Sequence, residues 1–282
     1  MYKQKQCRHN PIATMINANL SSWLRSPRTI IMLIAIVLLC HIEISRSIPM
    51  LKNEDILLNW FEMPYKMLES GVNILMSSII FFVMMSELPR QMNFQNNMLI
   101  RSSRKRWLTA QIFYSFLLIF IVLVLLIACV LIFSLGQFPM DNQWSDTARI
   151  ADGMPLDDSL MAIPTYVRER FTPLTSIVYA SMPIIGFWLS MSMVILLCSL
   201  LGSQFIGVLI CAFAMLAHFV GSYPLPYPIE FAIVQNMNPD FVGPSMYWKT
   251  LGTYAVLNTI LIGVMFFRIH KTDLVFYAGN KQ

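Results

Sequence analysis

Residues Glu87–Trp107 read ELPRQMNFQNNMLIRSSRKRW. This polar stretch lies between two long apolar runs and carries Arg90, Arg101, Arg104, Lys105 and Arg106. Lys and Arg gather in the cytoplasmic loops of membrane proteins, so the stretch is expected to face the cytoplasm. Every other segment takes its orientation from that one.

The surrounding chain has the composition such a loop requires. Of 282 residues, 56% are hydrophobic and 12% charged, and the mean hydropathy is +0.60. Soluble domains carry about 25% charged residues and lack serial apolar runs of 18 or more. The chain therefore reads as an all-α polytopic membrane protein. Its net charge of +5 sits mainly in the terminal segments and the central loop. That charge reports topology and contact with anionic lipid; without a stacking platform, no nucleic-acid partner is expected. Cys7, Cys40, Cys129, Cys198 and Cys211 show no CxxC spacing. Neither disulfides nor a metal site is indicated, and the four within apolar runs should pack as small hydrophobes. No small-residue cleavage pattern follows the first apolar run, so no cleavable signal peptide is expected.

Working back from the basic loop, the second span covers about 70–87. Before it, Met50–Lys66 mixes Lys52, Glu54, Asp55, Glu62 and Lys66 and reads as an outer loop. The first span, about 29–48, ends on His41, Glu43 and Arg46, expected near the outer headgroups; a proton relay through His41 and Glu43 is the alternative. Residues 10–26 open with Asn10-Pro11 and place Ile12, Met15, Ile16, Leu20, Trp23 and Leu24 at helical spacing. Asn17, Asn19, Ser21 and Ser22 lie opposite, so an amphipathic helix in the cytoplasmic interface is expected.

Working forward, the third span covers about 107–135 and is long enough to cross with tilt. The loop 136–170 holds Asp141, Asp146, Asp152, Asp157 and Asp158 against three arginines, which suits the outer side. Spans at about 173–201 and 205–222 are joined by Gly202-Ser203-Gln204, so they form an antiparallel hairpin. Pro224, Pro226, Pro228, Pro239 and Pro244 break residues 223–248 into short outer helices or a re-entrant element. The sixth span covers about 250–267, and Arg268, His270 and Lys271 place the tail inside. Six transmembrane helices with both termini cytoplasmic result.

Missing motifs narrow the function. The chain has no GxxxxGK[ST], HExxH or GxSxG run. Ser203 beside Gly202 invites comparison with an intramembrane protease, but a tight hairpin link explains it more simply. Ionisable residues deep within spans reduce to His218, with Glu87 at an inner end. His218 reads first as a packing residue beside Gly221 and second as a titrating group.

The layout and two local runs resemble the ABC-2 type permeases, the membrane subunits of type V ABC transporters. Trp23-Leu24-Arg25-Ser26-Pro27-Arg28 resembles the segment that leads into that family's first span. Arg101-Ser102-Ser103-Arg104-Lys105-Arg106-Trp107-Leu108, followed by Gln111, resembles its run into the third span. The outer loop 136–170 departs from the family's simplest members by its length. The resemblance implies a multi-pass permease of the cell membrane that is not itself an enzyme. ATP and Mg would be held by a separate ATP-binding subunit dimer, with no cofactor and no metal on this chain. By position, the family's coupling segment falls on residues 88–106, with Glu87, Arg90, Met92, Phe94, Met98, Arg101 and Arg104 as candidate contacts. Phe94 and Met98 would enter a groove of the partner, while Leu88, Met92 and Leu99 share another side. A second permease subunit, identical or related, would complete the pathway. Asn73, Ser77, Ser78 and His218 are the polar candidates for its lining. Export of a hydrophobic or amphipathic substrate, such as a peptide or antimicrobial, is the implied activity. An ATP-independent secondary transporter and a non-transporting immunity or interaction protein are the alternatives.

Overall fold

The computed structural model describes residues 11–53, 58–86, 88, 103–145, 165–220 and 244–269. All regular structure among them is helical. In chain order the helices are α1 (Pro11–Leu24), α2 (Pro27–Asn53), α3 (Glu62–Glu69), α4 (Gly71–Met85), α5 (Arg104–Phe133), α6 (Thr165–Arg170), α7 (Pro173–Leu200), α8 (Gln204–Val220) and α9 (Pro244–Arg268). Four of them, α2, α5, α7 and α9, are long and apolar enough to cross a membrane; α3 and α4 taken together make a fifth, bent by 77°. Residues 88–102 hold most of the expected coupling segment and, Leu88 apart, lie outside the described residues. So do most of the loop 136–170 and of the proline-rich stretch 223–248.

Helix α7 is the centre. It packs against α3, α4, α5, α8 and α9, and 67% of its apolar stretch is buried, against 22–33% in the other three long helices. Those three leave rows of large apolar side chains outside, such as Ile30, Ile34 and Leu38 on α2 and Phe113, Phe116 and Phe120 on α5. Apolar surface on that scale is foreign to a soluble monomer and suits a protein embedded in lipid.

Local chemistry sets the limits of α7. Thr172 accepts from the Thr175 N–H at 3.4 Å, and Pro173 takes the first helical position. At the other end Gly202 adopts φ +96°. The Ser203 N–H donates to the Cys198 carbonyl and the Gly202 N–H to the Ser199 carbonyl. That paired closure is a Schellman motif, and it turns the chain directly into α8. A Cβ on Gly207 would come within 2.9 Å of the Cys198 side chain and 3.0 Å of the Ile195 backbone. The hairpin therefore closes on a glycine contact, as small residues permit between apolar helices.

Pro183 interrupts α7 and offers no N–H to the Tyr179 carbonyl four residues earlier. The Tyr247 hydroxyl of α9 donates to that carbonyl at 2.9 Å. The two tyrosine rings stack with centroids 3.6 Å apart. A proline within one helix is thus answered by a hydroxyl of its neighbour, and α9 is held there.

Two expectations change. The loop expected over Met50–Lys66 is shorter, because α2 continues to Asn53 and Glu62–Lys66 belong to α3. Every residue of α3 is buried, including Glu62, Lys66 and Glu69. In α1, Asn19 does not face away from the apolar side: with Met15 and Trp23 it forms the buried stripe, four residues apart each time, and α1 packs against α5. The four cysteines among the described residues are free thiols. Cys40 and Cys211 donate weakly to the Leu126 and Met191 carbonyls.

Candidate functional site

Of the expected coupling residues, Glu87, Arg90, Met92, Phe94, Met98 and Arg101 lie outside the described residues. Arg104 is described and opens α5. Ser103 caps that helix, accepting from the Arg106 N–H at 3.4 Å. The first turn has no acidic residue; it holds Arg104, Lys105 and Arg106, all exposed. Helix N-termini carry partial positive charge, so three cations there work against the dipole by about 0.3–1 kcal/mol each. Local helix stability therefore does not explain their position. At the same end, Leu88 is buried, and the Gln204 amide of α8 donates to the Ser86 carbonyl at the end of α4.

The pathway candidates on α4 share a buried face. Ser78 accepts from the Trp188 indole N–H at 2.9 Å. Phe81, one turn on, stacks on the Trp188 ring with centroids 4.6 Å apart and planes 9° from parallel. Ser77 donates to its own helix at Ile74. The Asn73 amide nitrogen is buried without a hydrogen-bond partner. Ser78 and Phe81 thus fasten α4 to α7. His218 lies in α8, with its side chain outside the described residues.

Sequence reasoning missed a second centre, the eight buried residues of α3. Its two carboxylates differ in surroundings. The Glu62 carboxylate accepts from the Ser145 N–H at 2.6 Å, the Ser145 hydroxyl at 3.0 Å and the Asn59 N–H at 3.2 Å. The reach back to Asn59 repeats half of a capping box, while the Ser145 contacts hold a strand of loop 83 positions away in sequence. Around them Trp60 donates from its backbone to Pro139 and from its indole to Leu131. Trp144 meets Tyr65 edge-on and donates to Phe171 at 2.6 Å. Asn59 donates to Gln143. Residues 139–145 are thereby laced across α3 and joined to the start of α7.

Glu69 ends α3, seven positions on. Its side chain is 1% exposed. One oxygen accepts from the Tyr65 hydroxyl at 2.9 Å, and the other has no hydrogen-bond partner. Ser70 alone separates α3 from α4, in an extended conformation (ψ 120°) with no side-chain cap. An unpaired buried carboxylate costs several kcal/mol after all relaxation, whereas a neutral group short of one bond costs about 1–3. The sequence did carry a signal for this helix. Glu62, Lys66 and Glu69 fall at i, i+4 and i+7, and Pro64 suits a first turn. Among the described residues no three His, Cys, Asp or Glu side chains converge as a metal site would require. Compared with known protein families, curated proteins and solved structures, the chain matches none.

Proposed function

We propose that the chain is the membrane-spanning permease subunit of an ATP-driven transporter, receiving mechanical work through residues 88–106. The observation that carries this reading is the exposed Arg104-Lys105-Arg106 triplet on the wrong end of a helix dipole. Such a triplet suits an acidic docking partner or anionic headgroups at one face of the membrane. With no phosphate loop in the chain, the nucleotide chemistry falls to a separate subunit dimer, which alone would hold ATP and Mg. The proposed segment is continuous with α4 and α5, and both pack against α7. Rigid motion of the segment would tilt these helices and reach the centre of the bundle.

In this reading α2, the α3–α4 pair, α5, α7, α8 and α9 give six spans in the cell membrane, with both termini cytoplasmic and α1 in the interface. Two such subunits, identical or related, enclose the path. The substrate is hydrophobic or amphipathic, such as a peptide or antimicrobial, and leaves the cell. The test is co-purification of the tagged chain with the products of its neighbouring genes. Recovery of an ATP-binding subunit by wild type, and its loss with Phe94→Asp/Met98→Asp, supports the reading. Solute movement in liposomes by the lone chain without ATP overturns it. That outcome belongs to a second reading, an ion-coupled carrier, which is favoured by a buried carboxyl at a helix break.

A further inference from the structure

We propose that Glu69 is a proton-binding site: with α3 docked as it is here, its side chain is a neutral carboxylic acid, and the proton leaves when α3 swings away about Ser70. The site is carried by geometry. Both ends of the carboxyl are enclosed, the side chain being 1% exposed. Its one hydrogen bond comes from Tyr65, within the same helix. No Lys or Arg among the described residues pairs with it. Asn73, four residues on, holds a buried amide donor that also lacks a partner, so it does not stabilise a carboxylate either.

Enclosure also selects the ligand. A hydrated cation or a substrate amine needs volume and several acceptors, whereas a proton needs one lone pair. The proton adds to Oε2 while Oε1 keeps the Tyr65 bond, and water supplies it and takes it back. The elements packed on α3 are α2, α4, α5 and α7. The titratable and charged groups of these helices among the described side chains are Tyr179 and Cys198 on α7, Tyr114, Cys129 and the Arg104-Lys105-Arg106 triplet on α5, and Arg28, Cys40, His41 and Glu43 on α2; α4 has none. On α3 itself, Glu62 is engaged by Asn59 and Ser145, and Lys66 has interactions of its own.

The hinge is as short as a hinge can be. Ser70 closes α3 through its N–H to the Lys66 carbonyl at 3.2 Å and opens α4 through its carbonyl to the Ile74 N–H at 2.9 Å. Rotation at this one residue moves Glu69 between a dry and a wet setting, and protonation favours the dry one. Docking and protonation are thereby linked, so α3 docking weakens wherever the acid gives up its proton.

The experiment is infrared spectroscopy of the full-length protein in lipid nanodiscs at pH 7, read in the carbonyl band of protonated carboxyls. Wild type should show the band, Glu69→Gln should lose it, and Glu62→Gln should keep it. A wild-type spectrum without the band, or a band that survives in Glu69→Gln, overturns the proposal. Should Glu69→Gln fail to fold, Tyr65→Phe decides: the band must move to higher frequency once its carbonyl loses that donor, and an unmoved band rules Glu69 out. None of these measurements involves an ATPase or a substrate, so the proposal stands or falls apart from either transport reading.

Discussion

Glu62 and Glu69 occupy the two ends of one eight-residue helix, and both are buried. The first accepts three hydrogen bonds, two of them from a loop residue far away in sequence; the second accepts one, from its own helix. The difference separates two jobs that burial alone would confuse. A carboxylate surrounded by donors fixes the pieces around it, since each donor loses its acceptor if the acid is removed. A carboxyl with a vacant oxygen fixes little, yet its protonation is free to respond to any movement that wets it. One end of α3 is an anchor for residues 139–145. The other is a hinge with a titratable group beside it.

The strongest way to break this contrast is Glu62→Ala. Two backbone N–H groups and a hydroxyl would lose their acceptor, so the cost should be about 3–5 kcal/mol, measured by denaturant unfolding in mixed micelles. The loss should be local as well as global: residues 137–145 should become sensitive to limited proteolysis under conditions where wild type is resistant. A cost below about 1 kcal/mol would mean that Glu62 does not hold this loop.

The sequence showed the two centres unequally, and the reason is range. Helices α5 and α7 announce themselves as long apolar runs, and the α7–α8 turn is visible in Gly202 because a Schellman closure needs a residue tolerant of positive φ. The basic triplet before Trp107 is equally plain. Helix α3 is not, because Glu62, Lys66 and Glu69 in so short a stretch look like a solvated loop. What makes them interior is Ser145, which no local pattern connects to Glu62. The same holds for Pro183: its role emerges only when Tyr247 reaches the freed Tyr179 carbonyl. The polar residues Ser77 and Ser78 were visible as polar, but polarity in a span does not distinguish a pathway from a fastening. Ser78 accepts from Trp188, a contact that no local pattern announces.

The contrast is sharpened most by making one small change at both ends. Glu62→Gln keeps one acceptor oxygen and replaces the other with an NH2 group that confronts donors from Asn59 or Ser145. It should cost about 2 kcal/mol, mostly as repulsion between donors and one orphaned N–H. Glu69→Gln meets no opposing donor: its oxygen still accepts from Tyr65, and its NH2 takes the place of a vacant oxygen. The amide has one more unpartnered N–H than the acid has O–H, so the change should cost about 1 kcal/mol at low pH, where acid and amide are both neutral. Toward alkaline pH the wild type should lose stability relative to Glu69→Gln, because only the acid has a proton to release. Parallel unfolding series at acidic and alkaline pH measure both effects on the same pair of proteins. If the two Gln variants lose stability equally at every pH, α3 has two anchors and no hinge. If Glu69→Gln alone grows more stable relative to wild type as pH rises, the vacant oxygen of Glu69 is where the proton sits.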